Sequence, residues 1–197
     1  MYTFLKDKIL DENKREIMME WETPIMKEHA KIVTENGGDI LEIGFGMGIS
    51  AGYIQSHSIN SHTIVENHPE IIPRAQAWAS NKSNVNIITG SWYDIRSNLS
   101  TYDGVFYDTF GDDDWNQFGV ELPNLVKANA KATWWNNNSE ESNIHNIEGV
   151  SYEAINVNPP TNDYFNHEFG LTYIDNFLKY FSNYKTSNIL KKNSKNT

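Results

Sequence analysis

The amino-acid sequence predicts an α/β fold: a mostly parallel seven-stranded sheet with helices on both faces and an antiparallel last strand. Three observations point there. Short apolar runs alternate along the chain with segments of helical period. One of these runs, Asp-Ile-Leu-Glu-Ile at 39–43, breaks abruptly into alternating glycines at Gly44, Gly46 and Gly48. The first, second and fourth runs end on Gly44, Glu66 and Asp108, residues suited to close backbone approach, hydrogen bonding or proton transfer. In open sheets of this kind, ligands sit beyond the carboxyl ends of the strands, where strand order reverses.

Taken in order, Phe4 to Met19 carries apolar residues near helical spacing and is expected as a short amphipathic helix. Thr23 is placed to N-cap a second helix with Pro24 at its first position, and Asn36-Gly37-Gly38 stops it, so that 1–36 forms a helical cover. Strand one is 39–43, and Gly48 to Gln55 opens a helix. A second strand ends at Glu66, Glu70 to Ala79 is helical, Val85 to Thr89 is the third strand and Tyr102 to Asp108 the fourth. Trp115 to Asn129 reads as mostly helical with a kink at Pro123, followed by a fifth strand from Ala130 to Trp135. The polar run Asn136 to Asn143 is a loop, and the segments Tyr152 to Val157 and Glu168 to Ile174 close the sheet as an antiparallel pair. One domain over 1–181 is therefore expected, followed at 182–197 by a disordered tail rich in Asn, Ser and Lys.

Composition narrows the function classes. At 197 residues with 39% hydrophobic content the chain can bury one proper core. A net charge of −10 argues against a nucleic-acid binder, which needs a basic face, and favours a cationic partner. The absence of cysteine excludes a disulfide framework and a thiol nucleophile. No apolar run reaches membrane-spanning length and the first sixteen residues are too charged for a signal peptide, so a cytoplasmic protein without membrane contact is expected.

The glycines do not fit the dinucleotide fingerprint, because Ile49 occupies the place where a small third residue is needed. The pattern present is Glu42-x-Gly44-x-Gly46-x-Gly48, which resembles the first motif of class I S-adenosylmethionine (SAM) methyltransferases, a Rossmann-like fold. Glu66, about twenty residues on at a strand end, stands where an acid accepts hydrogen bonds from ribose hydroxyls. Further stretches sharpen the likeness: IMMEWETPIM at 17–26 and YDGVFYDTF at 102–110, with EIGFGMG, IVENHP and GSWYD. Together they closely resemble guanidinoacetate N-methyltransferase and its relatives, the fungal and plant arginine N-delta methyltransferases, over about Ile17 to Phe177.

The resemblance implies SAM as cofactor and no metal. It implies that Glu22 of Trp-Glu-Thr-Pro binds the substrate guanidinium, and that Asp108 of Tyr-Asp-Thr is the second guanidinium ligand and the base. It places Gly44, Gly46 and Gly48 with Glu42 in the SAM loop and Glu66 on the ribose. Trp92 and Asp94 fall in the adenine pocket, and Met18 packs near SAM. The chemistry suits these types. A guanidinium presents a fork of N–H donors, is always protonated and has no free lone pair. Two carboxylates can clamp the fork, offset the charge beside a sulfonium, and take the proton that becomes acidic as the C–N bond forms. Asp112 to Asp114 reads as a solvated acidic turn and not a metal cluster.

The chain departs from the guanidinoacetate enzymes at Met19-Glu20, where a positive charge is lost. It departs again at Trp135 to Ser142, where Glu140 and Glu141 fall near the family's substrate-carboxylate seat. The expected function is SAM-dependent methylation of a small cationic guanidino compound, guanidinoacetate by family default. An arginine or protein-arginine acceptor is the alternative, and a non-catalytic SAM-binding regulator a third reading. No ankyrin-like docking module is seen, which favours a small substrate.

Overall fold

The computed structural model describes residues 1–135, 145–147, 150–155 and 185–189. The N-terminal segment is a three-stranded antiparallel meander, β1 (Thr3–Phe4), β2 (Lys8–Leu10) and β3 (Glu16–Met19), and not the helix expected over Phe4 to Met19. The reason is the turn between β2 and β3. Asp11 Oδ1 accepts the backbone N–H of Asn13 and of Arg15, both at 2.8 Å, and Lys14 adopts φ +61°. An aspartate that hydrogen-bonds its own following backbone offers the chain an alternative to the helix. Apolar residues at near-helical spacing then alternate across a ribbon, burying Ile9, Met18 and Met19.

After a single turn at Glu20–Glu22, α1 runs Thr23–Val33. Thr23 is its first residue and not its cap. The preceding residue, Glu22, makes no capping bond through its side chain, and Thr23 Oγ1 donates back to Glu20 O. Gly37 and Gly38, at φ +61° and +79°, turn the chain into the sheet as expected.

The α/β core follows the predicted order closely: β4 (Asp39–Ile43), α2 (Ile49–Gln55), β5 (Ser61–Glu66), α3 (Ile72–Ala79), β6 (Val85–Thr89), the short α4 (Trp92–Ile95) and β7 (Tyr102–Tyr107). Helix α5 is Phe118–Leu125, and the chain is already extended from Val126, where β8 (Val126–Trp134) begins. The helix expected to reach Asn129 thus stops four residues early. Pro123 lies in its last turn, and Asn129 at φ +64° marks an irregularity where the β7–β8 register shifts.

Two more strands complete the sheet, β9 (Val150–Ala154) and β10 (Lys185–Ile189), in the order β6-β5-β4-β7-β8-β10-β9. The first five in that order are parallel, and β10 is antiparallel to both β8 and β9. The antiparallel closing strand therefore falls at 185–189, inside the stretch whose composition predicts a tail. Composition reports how a segment is solvated, whereas strand pairing is made by backbone groups. The strand expected at 168–174 and the loop at 136–143 lie outside the described residues.

Alternation along the strands builds two cores. Ile40 and Phe106 face α1 and α2 with Ile25, Met26 and Ala30, while Leu41, Ile43, Val105 and Tyr107 face Phe118, Leu122 and Trp92. Ile9 of the meander joins Phe45, Ile64 and Ile71 in a third cluster, so the N-terminal ribbon is packed onto the domain at the carboxyl edge of the sheet. Among the described residues no helix is long and apolar enough to cross a membrane.

Candidate active site

Strand order reverses at β4, whose neighbours are β5 and β7. Pairing continues one residue past the strands there: Gly44 N–H donates to Val65 O at 2.9 Å, Asp108 N–H to Ile43 O at 2.9 Å and Gly90 N–H to Glu66 O at 3.0 Å. These bonds hold the ends of four strands level around a cleft of about 450 Å³, a size that suits a nucleotide-like ligand.

Of the residues the sequence singles out, Met18, Gly44, Gly46, Glu66, Trp92 and Asp108 all line this cleft. At Gly44, φ is +94° and a Cβ would fall 1.8 Å from the Asp108 carbonyl oxygen, so only glycine lets the loop pass the end of β7. At Gly46 a Cβ would fall 2.5 Å from Met18 Sδ, and that sulfur also accepts the Met47 N–H at 3.1 Å. The meander thus backs the glycine loop directly. Glu66 is held rigidly: Oε2 accepts the Phe45 N–H at 2.9 Å, and Oε1 accepts those of Asn67 and His68 at 2.9 and 2.8 Å.

Four predicted residues stand elsewhere. Gly48 begins α2 beyond the cleft lining, and Asp94 is exposed on α4, two residues past the inward-facing Trp92. Glu42 is fully buried behind the lining, where it accepts the Ser50 hydroxyl and lies 2.9 Å from His62 Nε2. Glu22 also lies behind the lining, 4% exposed. It is close enough to Asp108 for the two charges to act on each other.

Burial sets the electrostatics of this pair. It pushes the Glu22 carboxyl well above the usual carboxylate range, with the Asp108 charge adding to the effect and a Met19 backbone hydrogen bond opposing it. Burial, then the charge of Glu42, pushes Asp108 up to about 7. None of the ion pairs among the described residues engages either carboxylate. A carboxyl with raised pKa at the end of the cleft, with a second buried behind it, is an arrangement that a nearby cation would stabilise.

Sequence reasoning passed over several lining residues. Asp11 and Arg15 reach the rim, joined at 2.6 Å, with the Arg15 guanidinium 5.3 Å from the Phe110 ring. Tyr2 stacks on His68 at 3.6 Å and donates its backbone N–H to Glu70 at 2.9 Å, so the N-terminus closes over the cleft edge. Asp112 turns inward from the acidic run and takes hydrogen bonds from Trp92 Nε1 and Tyr107 OH, both at 2.6 Å. The Asp11 turn was readable in Asp-Glu-Asn-Lys; the others carried no local signal.

A sheet of this order with its cleft at the switch point has close counterparts among solved structures. A spermidine synthase in complex with the transition state analogue AdoDATO superposes with a TM-score of 0.62 at 8% identity, covering 98% of this chain and 73% of that one. The N-methyltransferase NodS from Bradyrhizobium japonicum WM9 gives 0.61 at 10% identity, covering 87% and 96%. At such identities the likeness speaks for the fold alone, and with the glycine loop and Glu66 it defines the class of SAM-dependent methyltransferases. Within that class, the family model described as Guanidinoacetate N-methyltransferase matches residues 5–138, and the chain belongs to that family. Similar curated proteins are Protein arginine N-methyltransferase 2 of Aspergillus oryzae, 35% identical over 144 residues, and of Saccharomyces cerevisiae, 38% identical over 116. These alignments cover 68% and 53% of this chain but 35% and 28% of the relatives, so the chain spans about a third of their length.

The cleft fits SAM on its own terms. Gly44 and Gly46 line the cleft with backbone alone. Glu66 lines the cleft and uses three of about four acceptor positions on N–H groups, keeping about one for a ribose hydroxyl. Trp92 supplies an apolar wall.

Proposed function

We propose that this domain methylates a guanidinium nitrogen of arginine, with Glu22 and Asp108 as the clamp and Asp108 as the base. The observation that carries the reading is the buried carboxylate pair, Asp108 at the end of the cofactor cleft with Glu22 behind it, whose pKa values burial has raised and which makes no ion pair among the described residues. Identity of 35–38% to proteins named Protein arginine N-methyltransferase 2 supports arginine over guanidinoacetate as the acceptor. The loss of a positive charge at Met19-Glu20 agrees with it. The name of the matching family model keeps guanidinoacetate as the second reading.

Bound in the cleft, SAM supplies an electrophilic methyl on a cationic sulfur. Glu66 would hold its ribose, Gly44 and Gly46 would admit its methionine part, and Trp92 would pack against its base. Glu22 and Asp108 each accept two parallel N–H bonds from the guanidinium fork, which fixes one nitrogen in line with the methyl. The incoming cation favours the ionised forms that burial opposed, so the clamp charges as it fills. As the new C–N bond formed and the methyl's bond to sulfur broke, leaving the neutral thioether S-adenosylhomocysteine, that nitrogen's proton would pass to a carboxylate oxygen of Asp108.

The test is transfer of labelled methyl from SAM to an arginine-rich protein, free arginine, agmatine and guanidinoacetate, with the modified nitrogen located by fragmentation. Labelling of an arginine-type acceptor, lost in Asp108→Asn, is the expected result. Preference for guanidinoacetate would move the acceptor to the second reading. Silence across the panel with SAM bound would overturn guanidine methylation and leave a SAM-binding regulator.

A further inference from the structure

The acidic run at 112–114 looks like a solvated turn in sequence, yet its first residue is the most heavily hydrogen-bonded carboxylate facing the cleft. Asp112 Oδ2 receives Trp92 Nε1 at 2.6 Å, Tyr107 OH at 2.6 Å and Thr109 Oγ1 at 3.3 Å, while Oδ1 receives the Asp114 N–H at 2.9 Å. These donors come from different places. Trp92 begins α4 and walls the cofactor half of the cleft; Tyr107 and Thr109 flank Asp108 at the end of β7.

We propose that Asp112 is a positioning residue that fixes the Trp92 wall and the Asp108 strand end in one register, so that the cofactor and the base meet correctly. Indole and phenol N–H and O–H groups have few rotamers, and converging two of them on one oxygen sets both ring planes at once. A carboxylate does this better than a neutral acceptor, because bonds to an ionised acceptor are shorter and about twice as strong. The rings agree with that role: Trp92 meets Tyr107 edge to face at 5.7 Å, and Tyr107 stacks on Phe118 at 4.2 Å, so the bonded assembly is anchored in the core. The inference concerns cofactor binding and holds for any guanidine acceptor.

Calorimetric titration of SAM into wild type, Asp112→Asn, the Trp92→Phe/Tyr107→Phe double variant and the triple variant tests it, with thermal midpoints alongside. Asp112→Asn keeps the volume and removes the charge; its dissociation constant for SAM is expected to rise about tenfold, with a midpoint close to wild type. In the triple variant the Asp112 change should add less than about twofold to the double, because its partners are already gone. Wild-type SAM affinity in Asp112→Asn would overturn the proposal. So would a full tenfold loss added on top of the double variant, or a loss that merely tracks a fallen midpoint. If Asp112→Asn does not fold, Tyr107→Phe, which removes one Asp112 bond from outside the cleft lining, decides alone: weakened SAM binding in a folded protein supports the role, and unchanged binding refutes it.

Discussion

The two edges of the sheet treat their carboxylates in opposite ways. At the amino edge, Asp39 opens β4 and Asp103 lies near the start of β7, and both reach Lys127 Nζ, at 2.7 and 2.8 Å. Asp39 also accepts the Ser61 hydroxyl, and Asp103 accepts the Asp39 backbone N–H. The Lys127 and Ser61 hydrogen bonds hold the Asp39 carboxyl below its usual range. At the carboxyl edge, Glu22 and Asp108 are raised by burial and share no ion pair with a described residue. Among the described residues the chain thus completes the charge group at the amino edge and leaves the carboxyl-edge pair without an ion pair. In the proposed reaction the guanidinium of the acceptor supplies that positive charge.

The largest expected effect breaks the carboxyl-edge pair. Asp108→Asn should cut turnover by about a hundredfold or more, as loss of a general base does, while calorimetric SAM binding stays near wild type. The same change should make the ligand-free protein more stable at pH 8. Because the folded-state pKa of Asp108 lies above its ordinary value, ionising it in place is unfavourable; this penalty is relieved as pH falls through about 7 towards the usual carboxylate range. The stability gap between variant and wild type, read by denaturant titration, should therefore close between pH 8 and pH 5. A gap that widened as pH fell would contradict the assignment.

Next in size is the pH dependence of catalysis. kcat/KM should fall on the acid side with an apparent pKa near 7, and the fall in kcat should be displaced to lower pH because the bound guanidinium favours the ionised base. Coincident acid limbs for the two parameters would mean that the clamp does not feel the acceptor's charge. Glu22→Gln comes third: it keeps the shape but halves the clamp charge, and should raise the acceptor KM about tenfold with little change in SAM affinity. The smallest effect belongs to the amino edge. Lys127→Met removes a partly exposed cation from two carboxylates and should lower stability by no more than about 1 kcal/mol, less at high salt, with turnover unchanged.

How far the sequence showed all this depended on whether the signal was local. Strands β4 to β7 were legible because their apolar runs are bounded by turn residues, and 39–43 and 85–89 agree with the structure residue for residue. The meander was missed because one side chain, Asp11, turns the chain against a pattern that also fits a helix. Gly44, Glu66 and Asp108 could be named because they end strands, where an open sheet presents its ligands. Asp94 and Asp112 traded places: the one expected in the cleft is exposed, and the one dismissed as solvated faces Trp92. Which of several acids turns inward depends on partners distant in sequence, and no spacing rule supplies them.

The 1.8 Å that would separate a Cβ at position 44 from the Asp108 carbonyl oxygen has a consequence for evolution and for design. The glycine loop and the Asp108 strand end are parts of one mechanical joint, tied by the Asp108 N–H to Ile43 O bond and kept in contact by a residue with no side chain. Variation cannot enter one half alone. A loop grafted from another methyltransferase must bring its neighbouring strand end with it, and a library that diversifies position 44 would displace Asp108 before it altered cofactor preference.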